Sequence, residues 1–192
     1  MKIALIVEGR TRPSSEERVI TILARKIVPR EVGITSRIIN RGDLLNNERK
    51  VYACVNDMLQ DNPDISKVII CVDSECTPEE DIKNMVVKIE KNLTEKIGVP
   101  IYYVVVVHAL EAWLLADADN IKEHLKTREK ISISPSVVSE CRPKEVLKGL
   151  YRKTGKDFIP MREYPQIAEK LNIAKMRDNV SFSYFHNKVK DP

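Results

Sequence analysis

The chain has 192 residues, 43% of them apolar and 5% aromatic, with 32 Lys+Arg against 28 Asp+Glu for a formal charge of +4. That is enough apolar material for a real core. It also excludes a membrane-spanning helix and a secretory signal, because the opening run Ile3–Val7 is short and stops at a charge, so the expectation is a cytoplasmic protein with no membrane partner. The four cysteines, Cys54, Cys71, Cys76 and Cys141, form no CxxC pair, and they read as reduced thiols rather than a zinc site or a disulfide framework. Charge is unevenly spread: residues 142–190 hold 12 Lys+Arg against 5 Asp+Glu, a local surplus that could face phosphates or simply be a solvated helical surface.

Short Ile/Val-rich runs alternate with helical periods through the first 108 residues, the rhythm of βαβ units. The first strand is Lys2–Val7. A helix follows from Ser14, with Ser14 or Ser15 as its cap, Glu16 and Glu17 in the first turn, and Val19, Ile20, Leu23, Ala24 and Ile27 as its apolar stripe. A second strand runs near Ile34–Ile39, and Asn47–Gln60 repeats the helical period. The third strand, Lys67–Val72, is almost wholly apolar, as expected where helices cover both faces of a parallel sheet. Thr77 as cap and Pro78 at the first helical position open a helix with Ile82, Met85, Val86, Ile89 and Leu93 inward, and Ile101–Val107 is the fourth strand.

After His108 the pattern becomes helical, with short segments at 109–116, 120–126, 144–151 and 164–171 and a helical tail over 176–189; Ile131–Ile133 is the one weak further strand. The expected fold class is therefore α/β, a three-layer α/β/α sandwich on a mostly parallel four-stranded sheet. Residues 1–116 form the sheet domain, and 117–192 a helical C-terminal extension packed on it.

Acids punctuate the strand ends: Glu8 after the first, Asp73 and Glu75 after the third, Glu111 beyond the fourth. Open α/β sheets hold ligands at that rim. Two carboxylates about 4 Å apart repel by roughly 4 kcal/mol at an effective dielectric of 20, so clustered acids call for a cation or a shared proton. Oxygen-only donors point to Mg²⁺ or Mn²⁺, and such sites serve phosphoryl transfer and phosphodiester hydrolysis. Taken singly, each acid reads equally as a helix cap or a loop hydrogen-bond acceptor.

Glu8-Gly9 and Asp73-Ser74-Glu75, each after a hydrophobic strand, resemble the Toprim superfamily, the catalytic fold of topoisomerases, DnaG-type primases and OLD-family nucleases. Val105-Val106-Val107-His108-Ala109-Leu110-Glu111-Ala112-Trp113-Leu114-Leu115-Ala116-Asp117 and Ser181-Phe182-Ser183-Tyr184-Phe185-His186-Asn187-Lys188-Val189 extend the resemblance to a family of uncharacterised bacterial and archaeal Toprim-like proteins. The resemblance implies that Asp73 and Glu75 hold the metal and that Glu8 is a ligand or general acid/base. It further implies a small nuclease of DNA repair or defence that acts on nucleic acid. Where relatives carry Glu-Gly-x-Thr-Glu this chain has Arg12, so that either Glu16 or Glu17, one turn on, replaces the second acid or that metal position is missing, and the DxD pair is here DxE.

Around this core, Gly9 offers close backbone approach, and Arg10, Arg12 and Lys188 are the candidate phosphate contacts, each equally readable as a solvated side chain. His108 is a candidate acid/base or a hydrogen-bonded rim residue, and Glu111 completes the acidic cluster or lies on the surface. Trp113, Phe182, Tyr184 and Phe185 read as core before base-stacking platforms. No Walker motif is present, so any ATPase is a separate partner. The rival readings are a noncatalytic nucleic-acid- or protein-binding module with a degenerate site, and a small-molecule phosphohydrolase using the same acids.

Overall fold

The structure, a computed structural model, describes residues 1–10, 13–127 and 141–191. Strands β1 (Lys2–Glu8), β2 (Gly33–Ile39), β3 (Ile65–Asp73) and β4 (Ile101–Val106) form a wholly parallel sheet in the order β2-β1-β3-β4. Alternation sends Ile3, Leu5, Val7, Ile69, Cys71, Val104 and Val106 to one face. Ala4, Ile6, Val68, Ile70, Val72, Tyr103 and Val105 go to the other. Helix α1 (Ser15–Ile27) covers the first face, and α2 (Arg41–Asn46), α3 (Glu48–Asp61) and α4 (Glu79–Ile97) cover the second, giving the α/β/α sandwich. No helix among the described residues is long and apolar enough to cross a membrane.

The remaining helices, α5 (Leu110–Leu115), α6 (Ala118–Leu125), α7 (Pro143–Lys153), α8 (Pro160–Lys170), α9 (Ile173–Met176) and α10 (Val180–Lys190), join α1 on the first face. Their large side chains share its hydrophobic cluster. Trp113 is fully buried, its ring centroid 5.2 Å from both Phe182 and Phe185, and its indole N–H donates to Ser181 Oγ at 2.8 Å. Lys67 is buried inside β3 because its ammonium donates to the carbonyls of Val189 (3.1 Å) and Asp191, capping the negative end of α10.

Several local expectations needed adjustment. Ser14 is the α1 cap, accepting from Glu17 N at 3.3 Å. Pro78, without a side-chain cap bond, precedes α4 in place of Thr77. Helix α2 was not expected; Asn40 starts it by accepting from Asp43 N at 3.0 Å. Helix α8 begins at Pro160, before the expected 164–171, and contains Pro165: the Met161 carbonyl that its missing N–H leaves free accepts instead from Arg18 Nη1 at 3.2 Å. The helical tail is split, with Asn179 capping α10 through Phe182 N at 3.0 Å. Ile131–Ile133 lie outside the described residues.

The cysteine reading is corrected as well. Cys76, just after β3, and Cys141, just before α7, are joined as a disulfide with Cα atoms 5.2 Å apart, although 65 residues separate them. Spacing alone cannot disclose such a pairing, since it depends on α7 folding back over the end of β3. Cys71 is a buried free thiol, and burial pushes its pKa up.

A buried ionic knot ties the helical layer together. One Glu163 oxygen accepts from Tyr151 OH at 2.9 Å and pairs with His124 Nε2 at 2.7 Å, while the other meets Arg162 Nε at 2.5 Å. Burial alone would raise the Glu163 pKa, but these bonds to His124, Arg162 and Tyr151 together hold it below its ordinary value. Glu163→Ala is expected to cost about 3 kcal/mol, since it strands the buried Tyr151 hydroxyl and the nearly buried His124. A depressed folded pKa contributes stability above the unfolded value of 4.5 that is lost as pH falls. The gap between wild type and Glu163→Gln in urea melts should therefore narrow from pH 7 to about pH 3.

Candidate functional site

Sheet order makes one position special. From β1 the chain steps through α1 to β2 on one side, whereas the step from β3 through α4 to β4 goes the opposite way, on the opposite face. The crevice between the carboxyl ends of β1 and β3 is thus the switch point at which doubly wound sheets bind ligands. Glu8 and Asp73 are the terminal residues of these two neighbouring strands. The Glu8 carboxylate crosses the sheet end to accept from Asp73 N at 3.1 Å.

A cavity of about 590 Å³ opens here, lined by Glu8, Gly9, Arg10, Glu16, Asp73, Glu75, Glu111 and Lys144 among others. Burial, then the charges of Glu8 and Glu111, push the Asp73 pKa well above the carboxylate range; the Leu110 backbone N–H opposes this. Burial also raises Glu8, with Glu75 and Glu16 adding to the rise against the Asp73 N–H and the Arg41 guanidinium. Glu111 is buried on the first turn of α5 and accepts a hydrogen bond from Tyr164 OH of α8. Burial and the Glu111 charge push that phenol far above its normal range.

Of the two candidates for the second acid, Glu16 lines the cavity and Glu17 is not among its lining residues. Glu16 faces the cavity, its carboxylate accepting from Ser14 Oγ at 2.7 Å and Ser15 Oγ at 3.0 Å. Glu17 turns to β2, where Ser36 Oγ donates to it at 2.8 Å. The repelling group around Asp73 is therefore Glu8, Glu111 and Glu16. Glu75 stands apart: its backbone is left-handed (φ 52°), its side chain is 63% exposed, and it lies 3.9 Å from Arg41 Nε.

Arg41, absent from the sequence reading, is the first residue of α2. Its guanidinium donates to the carbonyls of Asp73 (3.1 Å) and Ser74 (3.3 Å), bracing the acidic loop. With Arg10, Asn40 and Gly42 it lines a second cavity of about 460 Å³ on the other side of Glu8 and Glu75. The signal that could have found it is the one used for the acids, a residue just beyond a strand end, here after β2. Tyr164 and Lys144 carried no such local signal.

His108, also left-handed (φ 64°), is a brace of the rim rather than part of the cavity lining. Its N–H donates to Ser74 Oγ at 2.8 Å, its carbonyl accepts from Glu75 N at 2.6 Å, and its Nδ1 lies 3.2 Å from the Glu75 carbonyl. Lys188 lies away from the cavity: its ammonium sits 4.3 Å from the Tyr102 ring centre, near the start of β4 and so toward the opposite end of the sheet from the site. A Cβ at Gly9 would meet Ile38 and Ser14 Oγ at 3.4 Å, ordinary contact, so the fold itself does not require glycine there. Arg12 lies outside the described residues.

The donor set suits a hard dication in kind, being carboxylates held close enough to repel, in a cavity open to substrate. Among the described residues no three His, Cys, Asp or Glu side chains are grouped as a ready metal site. A cation would have to draw Asp73, Glu8 and Glu111 together.

A family model described as "Domain of unknown function (DUF4276)" matches residues 7–190. No curated protein matches the sequence. Among solved structures the chain is similar to the C-terminal region of the Burkholderia pseudomallei OLD protein, with a TM-score of 0.45 and 13% identity over 97% of this chain and 98% of that one. At that level the likeness is too loose to transfer a site.

Proposed function

The chain belongs to the DUF4276 family, and we propose that it is a Toprim-like, Mg²⁺- or Mn²⁺-dependent phosphodiester hydrolase, a small nuclease. The observation that carries this reading is the convergence of Glu8, Asp73, Glu111 and Glu16 on one cavity at the switch point, with Asp73 displaced strongly toward its protonated form. A positive ligand bound among mutually repelling carboxylates compensates their charge, and strongly perturbed acids gathered in a cavity mark candidate functional sites.

Asp73, Glu8 and Glu111 would hold the metal, which on binding supplies charge neutralisation and Lewis-acid activation of the phosphoryl group. The chain's own residues position the rest. Tyr164 fixes the Glu111 carboxylate, the Asp73 N–H fixes that of Glu8, and Arg41 holds the loop that carries Asp73. Arg10 and Lys144 place cations at the cavity wall, where an anionic diester approaches.

End-labelled DNA and RNA oligonucleotides incubated with Mg²⁺, Mn²⁺ or EDTA test the proposal. Cleavage should require the metal, and Glu8→Gln should slow it by about 10²-fold or more. Metal-independent, salt-sensitive binding without cleavage would instead assign a noncatalytic binding module.

A further inference from the structure

We infer that the substrate is a polynucleotide whose backbone leaves the acidic cavity along helix α7; the inference rests on the hydrolase reading above. Lys144, which lines the cavity, Lys148 and Arg152 follow one another at four-residue steps on α7. Four helical residues rise about 6 Å, so the three cations form a line about 12 Å long, the axial rise of three to four nucleotides. Buried Pro143, Leu147 and Tyr151 each precede one of these cations by one position, about 100° round the helix, so the row runs along the flank of the anchored stripe, with Lys144 and Arg152 exposed and Lys148 half-buried. Among the described residues the Lys148 ammonium pairs with Glu145 on the same helix at 3.0 Å, an exposed pair of the kind that contributes little and yields readily to a phosphate.

Gly149 supplies an independent observation. It sits in the middle of α7, where glycine costs about 1 kcal/mol relative to alanine, yet a Cβ there would meet nothing within 4 Å and the backbone needs no left-handed conformation. Among the described residues nothing requires glycine at this point. Close approach of an external backbone accounts for it, and Gly149 is the next residue after Lys148, with open space where a Cβ would stand. The Cys76–Cys141 disulfide fastens the start of α7 next to Glu75, which sets where the row meets the cavity.

Fluorescence anisotropy with labelled 12-nucleotide single strands and the matching duplex, without divalent metal and across a salt series, tests this. For Lys148→Gln/Arg152→Gln, log affinity against log salt should lose about 1.4 units of slope on the single strand, from about 0.7 per phosphate contact. Gly149→Ala should raise Tm, keep the slope and weaken binding at least threefold. Wild-type slope and affinity in the double variant would overturn the inference, as would an oligonucleotide that wild type fails to bind. Hydrolysis of a small phosphodiester, bis(p-nitrophenyl) phosphate, with Mn²⁺ reports the acidic site separately. If it persists while the binding predictions fail, the path along α7 is wrong and the hydrolase reading stands.

Discussion

Asp73→Asn is expected to abolish metal-dependent cleavage, by 10³-fold or more, while making the metal-free protein more stable. The Asp73 carboxyl is desolvated and faces Glu8 and Glu111, so its ionised form is an internal cost at neutral pH. Asparagine keeps the shape and an acceptor for the Leu110 N–H but removes the charge, and a gain of about 1–2 kcal/mol follows, roughly 3–6 °C in Tm. The sign of the pH dependence is determined. A carboxyl whose folded pKa is raised binds its proton more tightly in the folded state, so the wild type recovers stability as pH falls and the gap to Asp73→Asn closes. Mg²⁺ should reverse the ranking. At a hundredfold excess over its dissociation constant a ligand adds about 2.7 kcal/mol to the protein that binds it, raising the wild-type Tm and leaving that of the variant unmoved. Thermal melts with and without Mg²⁺, beside the cleavage assay, check both halves. A variant that still cleaves, or still responds to Mg²⁺, would remove Asp73 from the centre of the site.

Reduction of the Cys76–Cys141 disulfide should carry the largest effect on stability. Closing 65 residues of chain removes unfolded-state entropy worth about 4 kcal/mol in the chain-entropy model, and measured values for disulfides centre on about 2–4 kcal/mol. For a chain of this size that corresponds to a fall of about 6–12 °C in Tm on adding dithiothreitol. Cys76→Ser/Cys141→Ser should melt at the reduced temperature and show no further response to reductant. The same variant addresses function, because the bond connects the segment just after Asp73 and Glu75 to the residue just before α7 and its Arg142 cap. Its Lys144 would lose its fixed place at the cavity, so cleavage should weaken along with stability. Equal Tm with and without dithiothreitol would show that the bond contributes nothing to the native protein.

Much of the architecture was legible before any coordinates. The near-continuous apolar runs at Lys2–Val7 and Lys67–Val72 identified strands buried on both faces, and the stripes beginning at Val19 and Ile82 identified the helices that bury them. Where local signals failed, a tertiary contact had overridden them. Proline is a local helix-breaking signal, yet Pro165 lies inside α8, where Arg18 satisfies the carbonyl it frees. Helix α2 is six residues long, too short for a period to emerge, and its Asn40 cap by itself does not disclose it.

The sequence by itself determined the four strands, the placing of Glu8 and Asp73 at two strand ends, and the basic excess of the C-terminal part, because side-chain periods of 2 and 3.6 and the order of residues along an element are local properties. Tertiary structure alone decided which ends meet. Strand order put β1 beside β3, a left-handed backbone at Glu75 turned its side chain toward Arg41, and the folding back of α8 brought Tyr164 onto Glu111. It also carried Lys188 to the other end of the sheet and Cys141 to Cys76. These outcomes depend on crossover direction and on contacts between residues tens of positions apart, which no pattern within a single element contains.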